Sequence, residues 1–180
     1  MTIKAFAACF LFSIAQFAFA ADTQWILQQG TLTYHVSHKL HEADGVSHEA
    51  HGKGTCHDGG CDFTITAPVK SFDSGSGERD SHMMRVTHGD QFPVVTVRAH
   101  VPESAASSGT FQADLEVEFA GQSAHYKQVP FQLVTQGKQV RITGTIPATL
   151  ADFKIDPPSL LTMKVKNEIP VRVDLTWNQQ

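Results

Sequence analysis

Apolar and polar residues alternate along most of the chain, which is typical of strands with one buried face. In the segment FQADLEVEF, from Phe111 to Phe119, every second residue is apolar and the residues between are polar or charged. Successive side chains of a strand point to opposite faces, so one face is buried and the other meets water. On the other strands the predicted inward residues are Leu32, Tyr34, Val36, Leu40, Phe63, Ile65, Val95, Val97, Ala99, Val101, Val129, Phe131, Leu133, Val140, Ile142, Ile146, Ile169, Val171, Val173 and Leu175.

A further predicted strand, the second along the chain, carries several small residues on its inward face. Small side chains there would leave space inside a barrel for a slim ligand. The residues that share this inward parity are Val46, His48, Ala50, Gly52, Gly54 and Cys56.

Only the segment SGERDSHMMRVT, residues 76–87, clearly loses the alternation. Ser76 is a suitable N-cap, so the segment predicts a short helix, and residues 148–153 predict a shorter helical turn. Strands that each have one apolar face must close into a barrel or pack on a second sheet, and closure removes exposed edges. The sequence therefore predicts an all-β fold, an antiparallel barrel of about eight strands with one short helix.

The N-terminal residues predict an export signal. Lys4 precedes an apolar run that ends at Ala18-Phe19-Ala20, a small-x-small pattern that signal peptidase cleaves. The run is too short to span a bilayer comfortably. We therefore predict a signal peptide at residues 1–20, cleaved near Ala20, a single domain at 21–180, and a periplasmic location.

The charge of the chain narrows its possible partners. The chain has 14 basic and 18 acidic residues and a formal net charge of −4, which gives nothing to attract nucleic acid.

Cys56 and Cys61 flank His57-Asp58-Gly59-Gly60, a turn-rich sequence that closes a hairpin. The two cysteines then face each other in an oxidising compartment, which predicts a disulfide. A reactive dithiol is the weaker alternative, because the spacing is not Cys-x-x-Cys.

Six of the ten histidines lie between Tyr34 and Cys61. A zinc or copper site needs ligands that converge on one point, whereas strand alternation sends these side chains to opposite faces. We interpret the outward histidines as surface residues, with adventitious metal affinity as the alternative, and assign no metal ligand. His38 and His48 have inward parity, so each is either a hydrogen-bonded core histidine or a polar contact for the headgroup of a ligand.

No motif assigns a catalytic residue. Asp73, Glu78, Asp80 and His82 lie close together in sequence, but GxSxG, HExxH and phosphate-binding glycine motifs are all missing from the sequence. The polar start of a solvated helix accounts for these four residues. We predict that the protein is not an enzyme.

A set of short motifs, ordered along most of the chain, is similar to those of a known family. The segment SFDSGSGERDSHM, residues 71–83, carries the densest group of these motifs. One departure is Lys154, which stands where that family usually has glycine. On this basis the sequence resembles the YceI-like family of exported lipid-binding proteins. The matching residues are Tyr34, His38, Gly45, Gly52, Ser71, Ser74, Gly75, Arg79, Asp80, His82, Met83, Pro93, Leu115, Val117, Gly121, Asp152, Phe153 and Ile155.

The resemblance implies an extended lipocalin-like barrel with a helix packed at one end, enclosing a polyisoprenoid or an isoprenoid quinone. Inward apolar parity supports such a cavity independently. Apart from such a lipid we expect no cofactor. The residues predicted to contact the ligand are Tyr34, Val36, His38, His48, Phe63, Ile65, Val95, Val97, Leu115, Val117, Phe131 and Ile142.

Three functions remain open from the sequence. The first is non-enzymatic binding or carriage of an amphiphilic isoprenoid-type lipid. Each buried methylene gains about 0.8 kcal/mol over water in a barrel much as in a bilayer, so exchange through a transient membrane contact is feasible. The second is a periplasmic protein that binds metal or haem through the histidine-rich segment 35–57. The third is an interaction module with a filled core. The sequence predicts no particular oligomeric state.

Overall fold

A computed structural model describes residues 22–38, 42–107, 109–160 and 163–180. The predicted signal peptide, residues 1–20, and Leu40 lie outside the described residues. The strands are β1 Thr23–Ser37, β2 Glu42–Ser47, β3 His51–His57, β4 Gly60–Pro68, β5 Val94–Pro102, β6 Thr110–Phe119, β7 Gln122–Gln136, β8 Gln139–Ile146, β9 Ser159–Leu160, β10 Met163–Lys164 and β11 Val171–Gln179. Helix α1 is Gly77–Val86, and short 3-10 turns lie at Val69–Ser71, Glu103–Ser107 and Ala151–Phe153.

Strand β1 closes the sheet into a barrel. It pairs with β11 from Trp25 opposite Gln179 to Tyr34 opposite Val171. Its other edge pairs with β3 through its first half and with β2 through its second half. In this nine-stranded antiparallel sheet β2 and β3 share one position, so the closed barrel has eight strand positions. The prediction of an all-β antiparallel barrel with one short helix is confirmed for the described residues.

The second predicted strand is broken, and the break corrects part of its predicted inward face. Ser47 ends β2 fully buried, and its hydroxyl lies 2.6 Å from the Ser71 hydroxyl and accepts from the backbone N–H of Glu49 at 3.2 Å. The irregular residues 48–50 shift the inward parity by one position before β3 begins. The predictions that Val46 and His48 point inward are therefore wrong. Ser47, opposite the core residue Leu32, is the buried residue, so Val46 faces outward. The side chain of His48 is exposed, with Nδ1 3.0 Å from Thr31 Oγ1.

Several glycines of the inner wall lie under aromatic rings of other strands. A Cβ added at Gly52 would lie 2.7 Å from Cη2 of Trp177. The expectation that Gly52 and Gly54 leave space for a ligand is therefore wrong, because the rings of Trp177 and Phe63 take that space. Such glycine–aromatic packing fixes strand register as well as filling the wall. The other pairs of this kind are Gly45 with Tyr34, Gly54 with Phe63 and Gly144 with Phe131.

Helix α1 lies between β4 and β5 and matches its predicted bounds closely. Ser76 is the N-cap, and its hydroxyl accepts from the backbone N–H of Arg79 at 3.5 Å. Glu78 and Asp80 lie in the first turn and Arg85 in the last, so each charge interacts favourably with the helix dipole. No residue of α1 is fully buried, so the helix packs on the outside of the barrel end. Within the described ranges, no helix is long and apolar enough to cross a bilayer.

Substituting Gly52→Ala tests the close packing of the inner wall. The new Cβ would lie 2.7 Å from Cη2 of Trp177 and 3.3 Å from the backbone oxygen of Thr64, and Trp177 is only 2% exposed. We expect overpacking to lower the free energy of unfolding by about 1–3 kcal/mol, measured by urea denaturation.

The matched control for Gly52→Ala is Gly77→Ala at the first residue of α1. A Cβ there meets no atom within 4 Å, and alanine favours the helix, so stability should be unchanged or slightly higher. Equal stability of the two variants would contradict the packing described for the wall.

Candidate ligand-binding cavity

A cavity of about 740 Å³ extends along the inside of the barrel. Protein interiors normally contain few voids larger than one water molecule, whose share of the liquid volume is about 30 Å³, so this cavity is no packing defect. Its volume falls within the range of small-molecule sites. The alternative of a filled core is therefore wrong.

The cavity is lined by all but one of the residues that the sequence predicts to contact a ligand. Of the predicted ligand contacts, only His48 lies elsewhere, on the outer surface. Whether a ligand touches the others stays a prediction. Those that line the cavity are Tyr34, Val36, His38, Phe63, Ile65, Val95, Val97, Leu115, Val117, Phe131 and Ile142.

Polar lining residues are concentrated at the α1 end of the cavity. The middle is formed by aliphatic side chains such as Ile65, Val97 and Leu115. Thr23, Glu103 and Gln179 line the cavity at the opposite end, beside the disulfide, so polar residues lie at both ends and are more numerous beside α1. This distribution suits an elongated molecule with an apolar body whose polar head lies at the α1 end. The polar residues that line the α1 end are His38, Glu42, Ser74, Ser76, Glu78, Arg79, His82, Arg85 and Thr87.

Sequence reasoning missed the contribution of α1 to the cavity. Arg79, His82, Met83 and Val86 all line it, although the segment was interpreted as a solvated helix start. Their spacing of three and four residues was the available signal, because such residues share one face of a helix. Trp177 was also missed, and its ring packs edge-on against Phe63 with centroids 5.0 Å apart.

Tyr34 places a phenol inside the α1 end of the barrel. Its ring packs against that of Phe72, with centroids 5.7 Å apart. Burial raises the pKa of Tyr34 above its usual value, and the nearby carboxylate of Asp80 raises it further while Arg79 lowers it. The hydroxyl therefore stays protonated at neutral pH and can both donate and accept a hydrogen bond.

The histidine-rich segment is spread over different faces of the barrel. His38 is buried and lines the cavity, whereas His51 and His57 are exposed on β3. His41 lies outside the described residues. Within the described part of the chain, no three His, Cys, Asp or Glu side chains come together in a group that could hold a metal ion.

His35 belongs to a hydrogen-bonded network on the outer face. Its Nδ1 lies 2.7 Å from an oxygen of Asp44, and its Nε2 lies 3.0 Å from the Ser37 hydroxyl. Arg172 donates to the other Asp44 oxygen at 2.7 Å. The hydrogen bonds from His35 and from Arg172 lower the pKa of Asp44 below its usual value. This network joins β1, β2 and β11, so the role that geometry supports for His35 is structural.

The predicted disulfide between Cys56 and Cys61 is present. The two residues are direct partners across β3 and β4, and Asp58 and Gly59 turn the chain with φ of 50° and 83°. Positive φ at both positions is the geometry of a tight hairpin turn, for which Asp-Gly is a preferred sequence. Both cysteines line the cavity at the end opposite α1, so the bridge fixes the wall there.

The sequence matches a family model over nearly the whole domain. The model of the YceI-like domain matches residues 21–177. The chain therefore belongs to the YceI-like domain family, as its motifs suggested. No curated protein sequence matches the chain.

Solved structures with the same fold support this assignment. A polyisoprenoid binding domain from Saccharophagus degradans implicated in plant cell wall breakdown aligns with a TM-score of 0.72 at 13% identity, covering 87% of this chain and 98% of that chain. Burkholderia cenocepacia BcnA aligns with a TM-score of 0.67 at 15% identity, covering 82% and 95%. The Campylobacter jejuni YceI protein gives a TM-score of 0.54 at 14% identity, covering 66% and 72%. At such low identities, the likeness establishes the fold.

Reduction of the disulfide should destabilise the barrel end opposite α1. Loss of so small a closed loop increases the entropy of the unfolded chain and should lower the free energy of unfolding by about 2 kcal/mol. Urea denaturation with and without dithiothreitol measures this difference. The control is the double variant Cys56→Ala/Cys61→Ala, which should not respond to dithiothreitol. Identical curves for the oxidised and reduced wild-type protein would refute the stabilising role.

Proposed function

We propose that the protein binds or carries an amphiphilic isoprenoid-type lipid, a polyisoprenoid or an isoprenoid quinone, inside the barrel. The observation that carries the proposal is the cavity itself, with an apolar middle and polar residues at the α1 end. In this proposal the hydrocarbon tail lies between the aliphatic side chains. The polar head lies near Tyr34, His38 and the cavity-lining side chains of α1.

The energetics of such a ligand suit a carrier. Burial of each methylene gains about 0.8 kcal/mol relative to water, so a prenyl chain of several units gains on the order of 10 kcal/mol. A bilayer offers a similar gain, so the net preference between cavity and bilayer is small. The protein can therefore take up and release the same molecule.

The family and its structural relatives support the class of ligand. The Saccharophagus degradans domain that shares this fold is a polyisoprenoid binding domain. The shared barrel makes a ligand of the same kind a natural occupant of this cavity. We propose no other cofactor.

A non-enzymatic role and a periplasmic location are parts of the same proposal. The apolar middle of the cavity offers no acid, base or nucleophile to a bound hydrocarbon. The predicted export signal and the Cys56–Cys61 disulfide both favour an oxidising compartment outside the cytoplasm.

Blocking the cavity with Ala99→Phe tests the proposal. Ala99 lines the cavity on β5 and lies between Phe63 and Leu115 on the neighbouring strands. A phenyl ring there enters space that the tail would occupy, so affinity for the isoprenoid alcohol geranylgeraniol should fall by about tenfold or more. Uptake by delipidated protein is measured by mass spectrometry after gel filtration.

The matched control is Val134→Phe, because Val134 is 55% exposed on the outside of β7. This variant should bind like the wild type. Because Ala99→Phe fills empty space, it should unfold at the same temperature as the wild type or higher, which separates lost binding from lost folding. Undiminished binding by a folded Ala99→Phe variant would place the ligand elsewhere. Failure of the wild type to take up any isoprenoid would refute the function.

A further inference from the structure

We propose that the barrel rim beside α1, formed by Phe92, Pro93 and Val94, docks on the surface of a lipid bilayer. We call these three residues the apolar rim. The inference rests on the proposed function, because it concerns how a water-insoluble molecule reaches the cavity. A ligand of that kind has to be collected from a lipid surface and returned to one.

Exposed large apolar side chains are concentrated at this rim. Within the described residues there are three, of which Phe92 is 40% exposed and Val94 is 46% exposed. The third, Val134, lies on β7 close to the turn into β8, at the opposite end of the barrel. Single exposed apolar residues are ordinary on protein surfaces. Two of them separated only by Pro93 form a local apolar surface.

The rim is held in a fixed position by backbone contacts. The backbone N–H of Phe92 donates to the oxygen of His88 at 2.9 Å, and that of Val69 donates to the oxygen of Pro93 at 2.8 Å. The ring of Phe92 lies against Gly121, where an added Cβ would come 2.5 Å from Cζ of the ring. The structure therefore presents these side chains to solvent on a rigid frame.

The rim adjoins the polar end of the cavity. Val94 begins β5, and the next inward residues of that strand, Val95 and Val97, line the cavity. Met83 and Val86 of α1 line the same end. The rim therefore lies beside apolar side chains that line the α1 end of the cavity.

The charge of the protein favours apolar insertion over electrostatic attraction. The formal net charge is −4, which repels an anionic surface. Contact through a few apolar side chains in the interfacial layer needs no anionic lipid. A bilayer of zwitterionic phosphatidylcholine should therefore suffice as the partner.

The double substitution Phe92→Ser/Val94→Ser tests the proposal through the rate of uptake. Delipidated protein is mixed with phosphatidylcholine vesicles that contain geranylgeraniol, and protein-bound alcohol is followed with time by mass spectrometry. Loss of the two apolar contacts should slow uptake by about tenfold. The final occupancy should not change, because docking lowers a barrier without altering the cavity. The matched control, Val134→Ser, should load at the wild-type rate.

The outcomes separate the rim from the proposed function. Wild-type rates in the double variant, or equal slowing by Val134→Ser, would overturn the docking surface while leaving ligand binding intact. If the wild type takes up no geranylgeraniol, the proposed function fails, and flotation with empty phosphatidylcholine vesicles then decides the rim by itself. Flotation of the wild type but not of the double variant supports docking, and equal flotation refutes it. A wild-type dimer that the double substitution converts to a monomer would assign the rim to a second copy of the chain and would also refute docking.

Discussion

The closed ladder of backbone hydrogen bonds is the constraint on which the rest of this structure depends. Because β1 pairs with β11 on one edge and with β2 and β3 on the other, the sheet closes on itself through eight strand positions. Among the described residues, the outer edge of β2 is bridged only between Val46 and Asp73. The strand ladders supply hydrogen-bond partners for the backbone N–H and C=O groups of the wall. The wall therefore does not depend on a filled interior. The barrel can therefore keep a cavity of about 740 Å³ that a core made only of packed side chains would not tolerate.

Packing in this protein is concentrated in the wall. Rings such as those of Phe63 and Trp177 lie over glycines of other strands, and the Cys56–Cys61 bridge joins β3 to β4 at one end. At the other end, α1 lies across the polar part of the cavity and adds Met83 and Val86 to its lining. A tight wall around an open middle is the arrangement that a carrier needs, since the ligand can leave without unfolding the protein.

Local sequence patterns correctly predicted which face of a strand is buried wherever the strand is regular. Alternation from Phe111 to Phe119 gave the correct inward face because a regular strand keeps its parity. The same rule failed at His48, where the buried hydroxyl of Ser47 bonds to Ser71 and to a backbone N–H, and the strand breaks. Ser71 is distant in sequence, so nothing near His48 revealed the break.

Features that depend on contacts between strands were beyond the sequence patterns. Gly52 was interpreted as empty space, because the ring of Trp177 that covers it comes from a strand at the far end of the chain. The cavity-facing side of α1 had a recognisable spacing, but its position across the barrel end comes from the tertiary fold. The family resemblance implied a helix at one end of the barrel but assigned none of its side chains to the cavity. In the structure Arg79, His82 and Met83 line it.

Binding of an isoprenoid lipid inside the barrel is tested most directly by the contents of the cavity in protein purified from its native compartment. Untagged protein is isolated without detergent, extracted with organic solvent, and the extract is quantified by mass spectrometry. We expect an isoprenoid lipid in near-stoichiometric amount with the chain. An extract that contains no such lipid, from protein shown to be folded, would contradict it.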